Sequence, residues 1–204
     1  ISKFNNIQMA RKIQLNSAYG AIGNQYFRYY NLANAEAITL SGQVSIRWIE
    51  NKMNQYLNTV LKTEEEDYVI ASDTDSIYLN LGPLVESVYE GREKTDEGVA
   101  RFLDKVCQTK FEPFIESSYQ ELADYVGAYE QKMIMKRENI ANKGIWTAKK
   151  RYILNVFNSE GVQYAQPKLK VMGIECVKSS TPGACRDKIK ECLKVIMNEG
   201  EEAA

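Results

Sequence analysis

The stretch Val69-Ile70-Ala71-Ser72-Asp73-Thr74-Asp75-Ser76-Ile77-Tyr78-Leu79 sets two apolar, strand-like runs on either side of a short acidic turn. It reads as a β-hairpin, and the other signals in the chain gain meaning from their relation to its two carboxylates. Residues at i and i+2 on extended backbone project to one side, which lets Asp73 and Asp75 point together while Thr74 points away. Two carboxylates on one side suit a hard divalent cation. Mg²⁺ takes oxygen ligands and fills its remaining positions with water and substrate phosphate. The apolar flanks, Tyr68 to Ala71 and Ile77 to Leu81, are expected to hold the turn rigid. Many solvated turns also carry Asp-x-Asp, so the pair needs companions before it can be assigned a metal.

The 204 residues carry 26 Lys+Arg against 27 Asp+Glu, with 44% hydrophobic residues, the balance of a soluble globular protein with a sizeable core. Near-neutral charge gives no general attraction to nucleic acid and leaves local patches to supply any. The chain has no histidine, which removes histidine-based triads. Its four cysteines, Cys107, Cys176, Cys185 and Cys192, contain no Cys-x-x-Cys and read as reduced structural thiols of a cytoplasmic protein, not a zinc site. No run approaches the ~20 apolar residues of a membrane span, so no membrane association is expected. The chain opens at Ile1 and stops at Glu201-Glu202-Ala203-Ala204 within a helical pattern, as a piece of something longer would.

From Asn5 to about Asn24 the pattern is helical, with Ile7, Ile13, Leu15 and Ile22 as apolar contributors. Lys12, Asn16, Tyr19 and Gly23 fall within about 60° of one another on this helix, a polar stripe suited either to solvent or to a phosphate-bearing ligand. A second helix is predicted from Asn34 to Leu61, about 40 Å long, with an apolar stripe of Ala37, Leu40, Val44, Trp48, Met53, Leu57 and Leu61. After the hairpin, Leu81-Gly82-Pro83 breaks the strand and a polar surface connection is expected through Glu97. Val99 to Tyr125 is helical again, bent near Pro113.

From Tyr129 to Val171 the period changes to two, with a turn at Asn158-Ser159-Glu160-Gly161. Within it Lys132, Lys136, Arg137, Lys143, Lys149, Lys150 and Arg151 outnumber the acids and interleave with Trp146 and Tyr152. Such a run is either a wet face or a phosphate-backbone contact. Thr181-Pro182 reads as a helix cap followed by proline at the first helical position, and the helix it opens carries Ile189, Leu193 and Ile196.

Three motifs in order resemble family B DNA polymerases. Lys12-Ile13-Gln14-Leu15-Asn16-Ser17-Ala18-Tyr19-Gly20 is similar to the family's fingers-helix motif, Lys-x-x-x-Asn-Ser-x-Tyr-Gly. Ser72-Asp73-Thr74-Asp75-Ser76 resembles its Asp-Thr-Asp-Ser palm motif, and Lys149-Lys150-Arg151-Tyr152 its Lys-x-Tyr motif. Lys168 to Glu175, followed by Lys178-Ser179-Ser180-Thr181-Pro182, resembles the palm-to-thumb passage of the replicative polymerases of large tailed phages. The resemblance covers nearly the whole chain.

It implies an α+β fold in which an antiparallel palm sheet is backed by helices, with an N-terminal fingers helix and a C-terminal thumb helix. The implied division is fingers over 1–30, palm over 31–170 and the start of the thumb over 171–204. It further implies two Mg²⁺ ions, with Mn²⁺ as a substitute, held by Asp73 and Asp75 during phosphoryl transfer to a primer end. Lys150 would join them at the catalytic site. Lys12, Asn16 and Tyr19 would bind the incoming dNTP, and Lys149, Lys150, Arg151 and Tyr152 the primer-template DNA. The location would be the cytoplasm, the host's if the chain is phage-encoded.

The sequence departs from the family in three places. Ala71 stands where a tyrosine normally opens the palm motif, and Lys136 stands where a carboxylate often precedes Glu138. No Asp-x-x-Ser-Leu-Tyr-Pro-Ser motif occurs, although in the family it supplies the other metal-bridging aspartate. The exonuclease acids are missing as well. The chain is therefore expected to be inactive alone and to need an upstream half that carries both. The alternatives are a non-catalytic DNA-binding or assembly module that keeps the palm fold, and an unrelated metal-dependent nucleotidyltransferase.

Overall fold

A 30-residue helix, α2 (Leu32–Leu61), forms the back of the structure, a computed structural model that describes residues 2–91 and 93–203. The helix begins where it does because Asn31, in extended conformation, accepts the Asn34 N–H at 3.0 Å. It ends at Lys62, whose left-handed φ of 57° lets its N–H close on the Asn58 carbonyl. Its buried face is Ser45, Ile49, Met53 and Leu57, one residue per turn, with Trp48, Tyr56 and Leu61 at the margins. The predicted stripe is thus right in its C-terminal half only. Ala37, Leu40 and Val44 are exposed, because the sheet and helices that cover α2 meet its C-terminal half.

The strands form two antiparallel sheets where one was expected. The first is the hairpin of β1 (Val69–Asp73) and β2 (Ser76–Leu79). The second has β3 (Asn139–Ala148), β4 (Arg151–Ser159) and β5 (Val162–Met172) in chain order. Between β4 and β5 the turn at Glu160-Gly161 has φ of 50° and 88°, the two positive values a tight hairpin of this hand requires. The α+β class holds. In the stretch from Tyr129 to Val171, strand structure begins only at Asn139. Residues 129–138 run without strand pairing, and of the alternating residues there Met135 packs on the core while Ile134 is 81% exposed.

The helices between the sheets include one in the stretch after Leu81 where a polar surface connection was expected. Pro83 lies in the first turn of α3 (Gly82–Val88), where its missing N–H costs nothing, and Leu84 and Val85 are buried. Next, α4 (Asp96–Val106) opens on Thr95, whose hydroxyl accepts the Gly98 N–H, and α5 (Glu112–Tyr125) carries Pro113 in its first turn. A π-helical turn over Cys107–Phe111 joins the two, so the irregularity expected at Pro113 lies just before it. The last long helix, α6 (Gly183–Glu199), starts one residue later than predicted, and Thr181 makes no capping bond to it.

Packing ties these pieces together. Ile49, Met53 and Leu57 of α2 meet Tyr68, Leu84, Cys107, Phe111, Ile115, Tyr119 and Leu122. The Trp48 indole N–H donates to the Ser118 carbonyl at 2.9 Å and fixes α2 on α5. Asparagines on α2 anchor the approach to β1. Asn54 accepts the Tyr68 N–H at 2.9 Å, and Asn58 donates to the Glu66 carbonyl at 2.8 Å. A separate cluster of Ile153, Ile174, Cys176 and Met197 holds α6 on one face of the three-stranded sheet. The N-terminal helix α1 (Ser2–Ile22) buries none of its side chains, so Ile7, Ile13 and Leu15 form no core here.

All four cysteines are free, Cys107 and Cys176 buried, Cys185 and Cys192 exposed. Burial pushes the Cys107 thiol up to about 11, which keeps it an inert neutral thiol. No helix among the described residues is long and apolar enough to cross a membrane.

Met53→Ala should cost about 2–5 kcal/mol of unfolding free energy in urea titrations, the range for emptying a core site. Leu40→Ala should stay within about 0.5 kcal/mol, because its side chain is already in water. Equal losses from the two would mean that the N-terminal half of α2 is covered.

Candidate functional site

The hairpin and the three-stranded sheet meet through three aromatic rings. Tyr78 on β2 lies 5.5 Å from Trp146 and 5.4 Å from Tyr152, centroid to centroid, in edge-on and tilted arrangements. Trp146 and Tyr152 are cross-strand partners on β3 and β4, 6.4 Å apart. The tryptophan lies flat because Gly144, two residues away on the same face, has no side chain. A Cβ there would sit 2.7 Å from two ring carbons of Trp146. In the sequence Trp146 stands out only as one of the aromatics interleaved with a basic run, and Tyr78 as a strand residue. Their alternation with Ile145 and Ile77 was the available signal.

This junction opens a cleft of about 260 Å³ lined by Ala71, Ser72, Asp73 and Tyr78 from the hairpin, and by Trp146, Thr147, Ala148, Lys149, Lys150 and Tyr152 from the sheet. One acid thus shares a small cleft with two lysines on an aromatic floor. The lysines are delivered by the β3–β4 turn, where Lys150 takes a left-handed φ of 61°. The Tyr152 hydroxyl is pushed well above its ordinary range, first by burial and then by the Tyr78 hydroxyl, so it stays a protonated donor. Ala71 lines the cleft on the hairpin side.

Asp75 goes elsewhere. Extended backbone does not continue through Asp73-Thr74-Asp75, because Thr74 has a left-handed φ of 55° and the Asp75 N–H bonds back to the Asp73 carbonyl at 2.6 Å. The side-to-side alternation expected of the pair is therefore lost at the turn. Asp73 lines the small cleft, while Asp75 lines a larger one of about 700 Å³ between the hairpin, α3 to α5 and β3. That second cleft also holds Lys136, Glu138 and Lys170. The Lys170 ammonium donates to Glu138 at 2.6 Å, and this bond holds the Glu138 carboxyl below its usual range. Among the described residues no three acids stand together as a metal-holding group.

Three of the basic residues counted toward a phosphate surface are engaged within the protein, Lys132 with Glu130 at 3.0 Å on the surface. Arg137 pairs with Asp104, donates to Asn158 at 3.0 Å, and is largely buried. Arg151 donates from Nη2 to both oxygens of Glu175, at 2.7 Å each, and does not line the small cleft. Lys12, Asn16 and Tyr19 lie exposed on α1 and line neither cleft.

A model of DNA polymerase family B matches residues 2–112. The DNA-directed DNA polymerase of Escherichia phage RB69 is 46% identical over 202 residues, which is 95% of this chain and 22% of that protein. That of Enterobacteria phage T4 is 45% identical over 207 residues, 98% of this chain and 23% of that protein. The DNA polymerase delta catalytic subunit of Drosophila melanogaster is 30% identical over 101 residues, covering 48% of the chain and 9% of that protein. The chain thus spans less than a quarter of the length of its phage relatives.

Because the folded value of Glu138 is depressed, what its bond with Lys170 contributes is complete above the unfolded value near 4.5 and is lost as pH falls through the folded one. The pair is partly exposed and is worth no more than about 1 kcal/mol. In a carboxyl-carbon NMR titration Glu138 should titrate below 4.5, and Lys170→Met should move it back toward that value. An unchanged midpoint in the variant would show that the bond does not form.

Proposed function

The chain belongs to DNA polymerase family B, and from that premise we propose that it supplies one wall of a polymerase active site, the part that grips the primer strand beside the catalytic acids. The observation that carries this is the small cleft, where Asp73 faces Lys149, Lys150 and Tyr152 across an aromatic floor. Lys149 and Lys150 would meet phosphates of the primer end as point charges. Tyr152, kept protonated, would donate to the minor-groove edge of the terminal pair while its ring packs on Trp146 and Tyr78. Arg151 would support this turn more than contact DNA. Lys12, Asn16 and Tyr19, open on α1, would bind the dNTP once template and triphosphate are in place. Residues 1–30 would then be part of the fingers, 31–170 the palm and 171–204 the start of the thumb.

The carboxylate oxygens of Asp73 and Asp75 are of the right chemistry for Mg²⁺, but they line different clefts, and among the described residues no three acids gather as a metal-holding group. They are a partial donor set, with Asp75 the better placed to share a cation with acids from an upstream segment. Bound there, two Mg²⁺ ions would lower the cost of deprotonating the primer hydroxyl and of charge on the triphosphate. Glu138 is a weaker third donor, since Lys170 already occupies its carboxylate. That same pairing, with Lys136 close by, is what favours the second reading, a DNA-binding module without chemistry.

Primer extension separates the two. With Mg²⁺, this chain should extend a primer only when mixed with an upstream polymerase portion that carries the missing aspartate motif. Asp75→Ala should then lower the rate by about 10²–10³-fold or more, the scale of removing one electrostatic stabiliser of a transition state. Primer-template binding that survives Asp75→Ala, without extension in any mixture or with Mn²⁺, would leave the binding module as the function.

A further inference from the structure

Gly173 and Glu175 lie just past the end of β5, outside the small cleft, yet both press on the turn that forms its basic side. Met172 pairs with Tyr152, so the next residue, Gly173, runs against the β3–β4 turn. Gly173 has a φ of 68°, and a Cβ built on it would stand 2.4 Å from the Lys150 carbonyl oxygen and 3.0 Å from Arg151 Cγ. Only a glycine permits this approach, on grounds of both conformation and space. Two residues on, Glu175 takes the Arg151 guanidinium on both oxygens and the Lys178 ammonium at 3.0 Å. Glu175 is held there because its neighbours Ile174 and Cys176 are buried against Ile153 and Met197. At the start of β4 Arg151 faces this side, while Tyr152 and, in the turn before it, Lys150 line the cleft on the other. Lys150 itself keeps a left-handed φ, which a non-glycine residue holds when its surroundings over-determine it.

We propose that Gly173 and Glu175 are positioning residues that fix the height and tilt of the Lys149-Lys150 turn, with Arg151 acting as the strut between Glu175 and the turn. This rests on the reading of the small cleft as the primer-strand site. It carries a sign of its own. By charge alone, neutralising a carboxylate near DNA tightens binding. Neutralising a carboxylate that holds the strut frees the turn and loosens binding.

The test is anisotropy titration of a labelled primer-template with the 204-residue chain and its variants, between about 50 and 200 mM salt. Lys150→Ala should lower the log–log salt slope by about 0.9, the loss of one phosphate contact. Gly173→Ala and Glu175→Gln should each weaken binding about threefold to tenfold, the scale of one misplaced phosphate contact. Glu175→Gln should weaken binding less in a Lys150→Ala background than alone, since one of the two contacts it positions is already gone, and Arg151→Glu with Glu175→Arg should restore part of what Glu175→Gln loses. Glu175→Gln keeps the side chain's shape at a partly exposed site, so it decides the matter even if Gly173→Ala fails to fold. Unchanged or tighter binding in Glu175→Gln, with Lys150→Ala still weakened, would overturn the positioning role and leave the cleft reading in place. No effect of Lys150→Ala would overturn the cleft reading and the positioning role with it.

Discussion

The contact of Tyr78 with Trp146 and Tyr152 is the constraint on which the candidate site depends. Among the described residues no hydrogen-bonded ladder joins the hairpin to the three-stranded sheet, so side-chain packing sets where the acidic turn stands relative to the basic one. Aromatic pairs add about 0.5–1.5 kcal/mol each beyond the area they bury, enough to hold one arrangement over another in a marginally stable protein. Geometry matters more than the sum. Gly144 lets the indole lie flat, and the flat indole gives Tyr78 a surface on which to stand.

Behind that contact, two cores act from opposite sides of the cleft, joined by a third cluster in which Val85, Ala100 and Leu103 of α3 and α4 pack on Ile140 of β3. The α2 core fixes the hairpin through Tyr68, Ile77 and Leu79, so the position of Asp73 is inherited from Ile49, Met53 and Leu57. The α6 core fixes the far face of the sheet through Ile153 and Ile174, and from there the backbone of Gly173 and the carboxylate of Glu175 bear on Lys150 and Arg151. The cleft lies where the two systems meet. Its acid and its bases therefore come from different packing units, and a small shift of one against the other would change the spacing between them.

Charge is used unevenly across the molecule. Arg137 is spent inside, on Asp104 and Asn158, and Arg151 on Glu175, while Lys149 and Lys150 have no acid partner among the ion pairs of the described residues. A chain of net charge −1 can thus still present two free cations at one small cleft. The same selectivity separates Asp73, which faces those cations, from Asp75, which faces the larger cleft with Lys136 and Glu138.

Much of this was legible in the sequence. The two long helices, the hairpin, the irregularity near Pro113 and the Glu160-Gly161 turn follow from periodicity, proline and glycine, which are local properties of the chain. The family motifs picked out Asp73, Lys149, Lys150 and Tyr152, four of the residues that line the small cleft. What periodicity could not decide was which of several apolar faces would be covered. Leu40 and Val44 match a helical stripe as well as Ile49 does, but burial belongs to the neighbour that arrives, not to the helix. Nor could local pattern foresee that one left-handed residue, Thr74, would send Asp73 and Asp75 to different clefts, or that Gly173 would lie beneath Lys150, twenty-three positions earlier in the chain. The sequence by itself determined the long helices, the hairpin and the family to which the chain belongs. Only the tertiary structure decided which groups share a cleft, because that depends on packing between residues distant in the chain.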